Sequence, residues 1–179
     1  MKQNQTKIWV YADWEFLEEA QIMGWLTSQR VRGKEIFSFE YTEYWLNTDN
    51  PILSLDPHLG FYKGKQYLPE EKNNFGIFLD SSPDRWGRLL MRRREAWQAK
   101  QEGRDERTLF ESDFLLGVFD GHRMGGVRFK LSDDGPFIND QKKMATPPWT
   151  SLRELELASL QLERDDAMND PEYAQWLSV

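Results

Sequence analysis

The sequence contains no cysteine. Disulfides, thiolate metal centres and a thiol nucleophile are therefore excluded, and a reducing cytoplasm is the expected setting. Histidine is nearly absent too. His58 and His122 lie far apart and outside any metal-ligand spacing, so each reads as a surface or loop residue. No apolar run approaches the roughly 20 residues that span a bilayer, so no membrane contact is expected. The start, MKQNQTKIWVYADW, carries a basic residue but no apolar run ending in a small-residue cleavage site. There is no Gly-x-Ser-x-Gly elbow. GHRMGG (121–126) lacks the Gly-Lys-Ser/Thr ending of a phosphate loop and runs into a strand, so its glycines read as a turn or a close backbone approach. LSLD and FESD place Ser near Asp without a base. No complete active site assembles, and no catalytic, cofactor-binding or metal-binding residue is assigned.

What is present is core material. Of 179 residues, 39% are hydrophobic and 14% aromatic, with eight tryptophans, enough to fold despite 30% charged residues. The net charge of −7 argues against nucleic-acid binding through the whole surface. That charge is uneven. Residues 83–100 hold six Arg/Lys against two Asp/Glu, and residues 150–179 hold two against seven.

KIWVYADW (7–14), AQIMGWLTSQ (20–29) and KEIFSFEY (34–41) read as strands, and RVRGKE suits a hairpin turn. The expectation is a three-stranded antiparallel meander. Residues 42–74 read as irregular, with one helical turn before Pro51 and a short extended piece after it. The apolar run FGIFLD leads into Ser82-Pro83-Asp84, a helix start with Ser82 as cap, and Gly103 is the expected stop. TLFE (108–111) reads as a capping box for a second helix, LFESDFLLGVF. GGVRFKLS (125–132) reads as a strand, followed by a turn and a short second strand. A third helix from Thr150 or Ser151 and a last turn from Asp170 complete the pattern. The fold class is α+β: an N-terminal antiparallel sheet with a small barrel-like curl, then helices with a short second sheet. Residues 7–74 form the β-rich part and 75–179 the helix-rich part. The aromatics of the strands could stack bases in principle, but acids flank them (Asp13, Glu15, Glu35, Glu40), so they read as core.

The first helix concentrates the positive charge. At 100° per residue, Trp86, Leu89, Leu90 and Trp97 share one stripe, and Arg85, Arg88 and Arg92 share another. A row of guanidinium forks suits an acidic partner surface or a nucleic-acid backbone, against the plainer reading of a solvated face. Arg93 projects near the apolar stripe and needs a mate, for which Asp113 and Asp80 are candidates.

FGIFLD running straight into SSPDRWGRLLMRRREA, then RTLFESDFLLGVFDGHRMGGVRFK, then DGPF, together with FSFEY, resembles the N-terminal region of the HipA family, the serine/threonine-kinase toxins of bacterial type II toxin–antitoxin modules associated with persistence. The resemblance runs from about residue 7 to 179. It implies a non-catalytic module that contacts the kinase lobe, in cis or in trans, and a HipB-like helix-turn-helix antitoxin, with DNA reached only through that antitoxin. The Gly/Ser-rich loop, the ATP-contacting lysine and the catalytic and metal-binding aspartates of the family follow this region. ATP and Mg are thus expected only for the complete kinase, and no kinase activity is expected from these 179 residues. An end at QWLSV, where that loop is expected, implies a fragment, a truncated product or half of a split system. In the split case the chain would be a stand-alone, antitoxin-like inhibitor. Asp84, Arg85, Trp86, Arg88, Arg92, Asp113 and Arg123 are the interface candidates that the resemblance and the arginine stripe select.

Overall fold

The computed structural model describes residues 5–48, 55–69 and 71–138. Three strands form the expected meander: β1 (Gln5–Ala12), β2 (Gln21–Val31) and β3 (Lys34–Tyr41). The β2–β3 turn has positive φ at Arg32 (49°) and Gly33 (79°), the twist that lets two antiparallel strands continue without splaying. A short helix α1 (Glu43–Leu46) follows β3, capped by the Thr42 hydroxyl, which accepts from Trp45 N–H at 3.0 Å. A two-residue strand β4 (Gln66–Tyr67) pairs with β3 at Ser38 and Phe39. Next come helices α2 (Gly76–Asp80), α3 (Arg85–Glu102) and α4 (Glu111–Gly117), a 3-10 turn over Asp120–His122, and strand β5 (Val127–Lys130).

One sheet results, in the order β4-β3-β2-β1-β5. It is open, with β4 and β5 at its edges, and does not close into a barrel among the described residues. β5 does not begin a second sheet. It pairs antiparallel with β1, placing Val127 opposite Ala12 and Phe129 opposite Val10. The cause is the meander itself, whose first strand keeps a vacant edge, while the inward Val127 and Phe129 match the inward face of β1. The short second strand expected after the DDGPF turn lies outside the described residues, the last of which, Ile138, donates its N–H to Phe129 O at 2.9 Å.

The inward face carries the core. Ile8, Val10, Ala12, Leu26, Phe39 and Phe129 are fully buried there, and Trp45, Phe75, Phe78 and Leu115 pack on them from the helices. Phe39, Phe75, Phe78 and Phe129 meet edge-on or tilted with centroids 5.5–6.5 Å apart. Each such ring contributes about 1.5–3 kcal/mol by leaving water. FGIFLD thus supplies two core rings from a helix. Its first turn is held by Asp56, whose carboxylate accepts from Ile77 N–H at 3.1 Å and His58 N–H at 2.7 Å.

The chain falls into two compact units. The first holds the residues up to Ser82 and again from Phe110, and so contains the whole sheet; the second contains Pro83–Leu109 with α3. The sheet of the first unit draws on both sides of α3 in the sequence, because β5 returns to β1. The third helix and the final turn expected beyond residue 149 lie outside the described residues.

Candidate interaction site

Helix α3 begins two residues later than expected. Asp84, not Ser82, is its cap, accepting from Gly87 N–H at 2.8 Å, and Arg85 is the first helical residue. The two serines are already engaged: Ser81 Oγ donates to Ile77 O at 3.0 Å and Ser82 Oγ to Phe78 O at 2.7 Å, closing the end of α2. Gly103 ends α3 at φ 63°, as its position predicts. Arg88 Nε reaches back to Pro83 O at 3.1 Å. Arg85 and Arg92 are exposed, and Trp86 and Arg88 are half-buried.

The buried face of α3 differs from the expected stripe. Leu90 is buried, but Leu89 is exposed, and Glu95 and Ala99 are buried as well. The chain after Gly103 folds back over them. Arg104 binds the Glu95 carboxylate through Nη1 and Nη2, and Arg107 N–H donates to it at 3.0 Å. The Arg104 hydrogen bond holds the Glu95 carboxyl below the usual range, against the opposing effect of burial. Burial pushes the Arg94 guanidinium down.

In the first unit, Arg123 is a clamp. Its side chain is 1% exposed. Nη1 donates to Ser81 O at 2.9 Å and Leu115 O at 2.8 Å, and Nη2 to Val118 O at 3.1 Å. The guanidinium also lies 4.6 Å over the Phe129 ring. Burial lowers its pKa to about 10. One residue on, Met124 O stands 3.4 Å from Ser81 Oγ. Gly125 takes φ 76°, and Gly126 leaves no room for a side chain, since a Cβ there would come 2.1 Å from Trp14 Cδ1. GHRMGG is thus a turn and a close approach, as its sequence suggests. Arg128 fastens β5 to the same corner through Asp120 and, at 3.1 Å, Asp13.

Asp113 serves the start of α4. It accepts from Phe110 N–H at 2.9 Å and from Arg30 Nη2 at 2.8 Å, while the Arg30 guanidinium stacks 4.2 Å over Phe110. The capping residue is therefore Phe110 rather than Thr108, because Asp113, third in the helix, supplies the carboxylate that receives the cap N–H. Glu35 accepts from Ser28 Oγ at 2.6 Å and from Ser112 N–H and Oγ, tying α4 to β3.

The fold thus gathers Asp113 and Arg123 into the first unit and places Asp84, Arg85, Trp86, Arg88 and Arg92 in the second. Asp84, Asp113 and Arg123 hold backbone in position; Arg85 and Arg92 lie on the exposed surface of α3. Sequence reading missed Trp9 and Trp25, which are cross-strand partners on the sheet face opposite the core. The alternation of KIWVYA, with Ile8 and Val10 inward, was the available signal. Among the described residues, no group of three or more His, Asp or Glu is placed to hold a metal ion, and no helix is long and apolar enough to cross a membrane. No family model, curated protein or solved structure matches this chain.

Proposed function

We propose that this chain is a non-catalytic interaction module of a HipA-like serine/threonine-kinase toxin, working in the cytoplasm through contacts with a kinase lobe and a helix-turn-helix antitoxin. The observation that carries the reading is the Arg123 clamp. The three segments most specific to the resemblance, SSPDRWGR, DFLLGVFD and RMGGVRF, converge on this guanidinium through Ser81, Leu115 and Val118. Their order in the sequence therefore has a shared physical purpose, fixing the end of α2 against the α4 corner of the first unit. The exposed Arg85 and Arg92 that follow suit an acidic partner surface. ATP and Mg belong, in this reading, to the kinase lobe.

The test is titration of the chain against a HipA-type kinase lobe lacking its own N-terminal region, with ATP turnover followed in the same samples. Binding is expected, and turnover by the isolated chain is expected to be undetectable. Activity restored on binding identifies the structural half of a toxin; activity suppressed identifies an inhibitor of a split kinase. If R85E/R88E/R92E binds the lobe and the antitoxin as the parent does, the arginine seam is wrong.

A further inference from the structure

The side of the sheet facing away from the core is rich in rings and cations. Strand alternation places Lys7, Trp9 and Tyr11 of β1 on it, beside Trp25, Thr27 and Gln29 of β2, Ile36 and Ser38 of β3, Tyr67 of β4, and Arg128 and Lys130 of β5. Trp9 and Trp25 stand directly opposite each other at its centre and are both part-exposed. Tyr67 is 63% exposed and Ile36 48%. The Lys7 ammonium lies 4.2 Å from the Trp25 ring and 5.1 Å from the Trp9 ring. Lys130 lies 4.8 Å from Tyr11 and 4.9 Å from Phe137. Glu40, opposite Trp25, brings a carboxylate to the face, and Asp133 accepts from Tyr11 OH at 3.2 Å.

We propose that this face binds single-stranded nucleic acid, with bases stacking on Trp9 and Trp25 and phosphates meeting Lys7 and Lys130. Two part-exposed indoles on adjacent antiparallel strands offer ring surface on one face, and every base has a π-face to lay on it. Lysines beside such rings match the alternation of base and phosphate along a strand. Lys7 is exposed and unbranched, so its ammonium can swing from the indoles to a phosphate while a base takes its place. Thr27 and Gln29, both part-exposed, supply donors and acceptors for base edges. An acidic peptide would use the same cations but would leave the paired indoles without a planar group to stack on. The acidic whole molecule confines binding to this face. The proposal does not depend on the kinase-module reading.

The experiment is fluorescence anisotropy of labelled oligo(dT) and oligo(U), about twelve nucleotides long, titrated with the whole chain at low salt, with tryptophan emission read in parallel. Binding with quenched emission is expected. Affinity should fall at least about fivefold in W25A and in W9A. K7E, at an exposed position, and K130E, which also gives up the Lys130 bond to Asp133 O at 3.3 Å, should each weaken binding and flatten its salt dependence by about 0.7 in log–log slope. Circular dichroism and melting of each variant separate lost binding from lost fold. Absence of binding by the parent overturns the proposal. So does binding that K7E and K130E leave unchanged, and so does displacement by polyglutamate as effective as by unlabelled oligo(dT), which would mark a site for acidic polypeptide.

Discussion

Arg123 in the first unit and Glu95 in the second are both buried charges, and they are satisfied in opposite ways. Arg123 aims its guanidinium at three neutral carbonyls, with the Asp120 carboxylate 3.9 Å from Nε. There burial wins, and the pKa falls to about 10. Glu95 has a countercharge in Arg104 and an N–H from Arg107. There the partners win, and the carboxyl is held in its charged form. Carbonyl dipoles satisfy the directions of a guanidinium without fully offsetting its desolvation, whereas a bonded countercharge does. Arg123 therefore acts through the shape of its fork and Glu95 through its charge.

The largest test of that contrast is Arg123→Ala, expected to cost about 3–5 kcal/mol in denaturant unfolding, since three carbonyls and Asp120 lose their donor or countercharge together. Arg123→Lys keeps the charge and loses the fork, and should recover only a minor part of this. Glu95→Gln keeps the shape and loses the charge, and should cost about 1–3 kcal/mol. It should also change the acid limb. The folded Glu95 pKa lies below its unfolded value, so its contribution is complete above the ordinary glutamate range near about 4.3 and is lost as pH falls through the folded value. The parent should therefore lose stability on acidification faster than Glu95→Gln, as melting at successive pH values would register. Asp84→Ala removes a cap and should cost about 1 kcal/mol, with Asp84→Ser close to neutral. The smallest effect belongs to Arg85→Glu, an exposed position, within about 0.5 kcal/mol of the parent in unfolding, which makes it a clean probe of partner binding.

The meander was legible because alternation and the Arg32-Gly33 turn are local. The pairing of β5 with β1 was not, because nothing near residue 127 records which edge stands vacant. Cap positions slipped for a related reason. Ser81, Ser82 and Asp84 all suit a cap, and only the preceding helix, which claims both serine hydroxyls, leaves the task to Asp84. At the site, the arginine stripe was visible as spacing, but the Arg123 clamp was not, because its acceptors are backbone carbonyls that leave no trace in residue type. Trp9 and Trp25 read as core because acids flank the strands, whereas their parity along the strands puts them on the other face.

The β1–β5 pairing also sets an order of events during synthesis. Trp9 finds Lys130 and Ala12 finds Val127 only after the hairpin, α2, α3 and α4 have all been made. Until then the nascent sheet carries an uncovered rim at β1, and Phe78 lacks the Phe129 ring that it meets in the finished core. Closing the sheet is thus a late, long-range step, and the interval before it is when the chain is most exposed to pairing with a neighbour emerging from the same message.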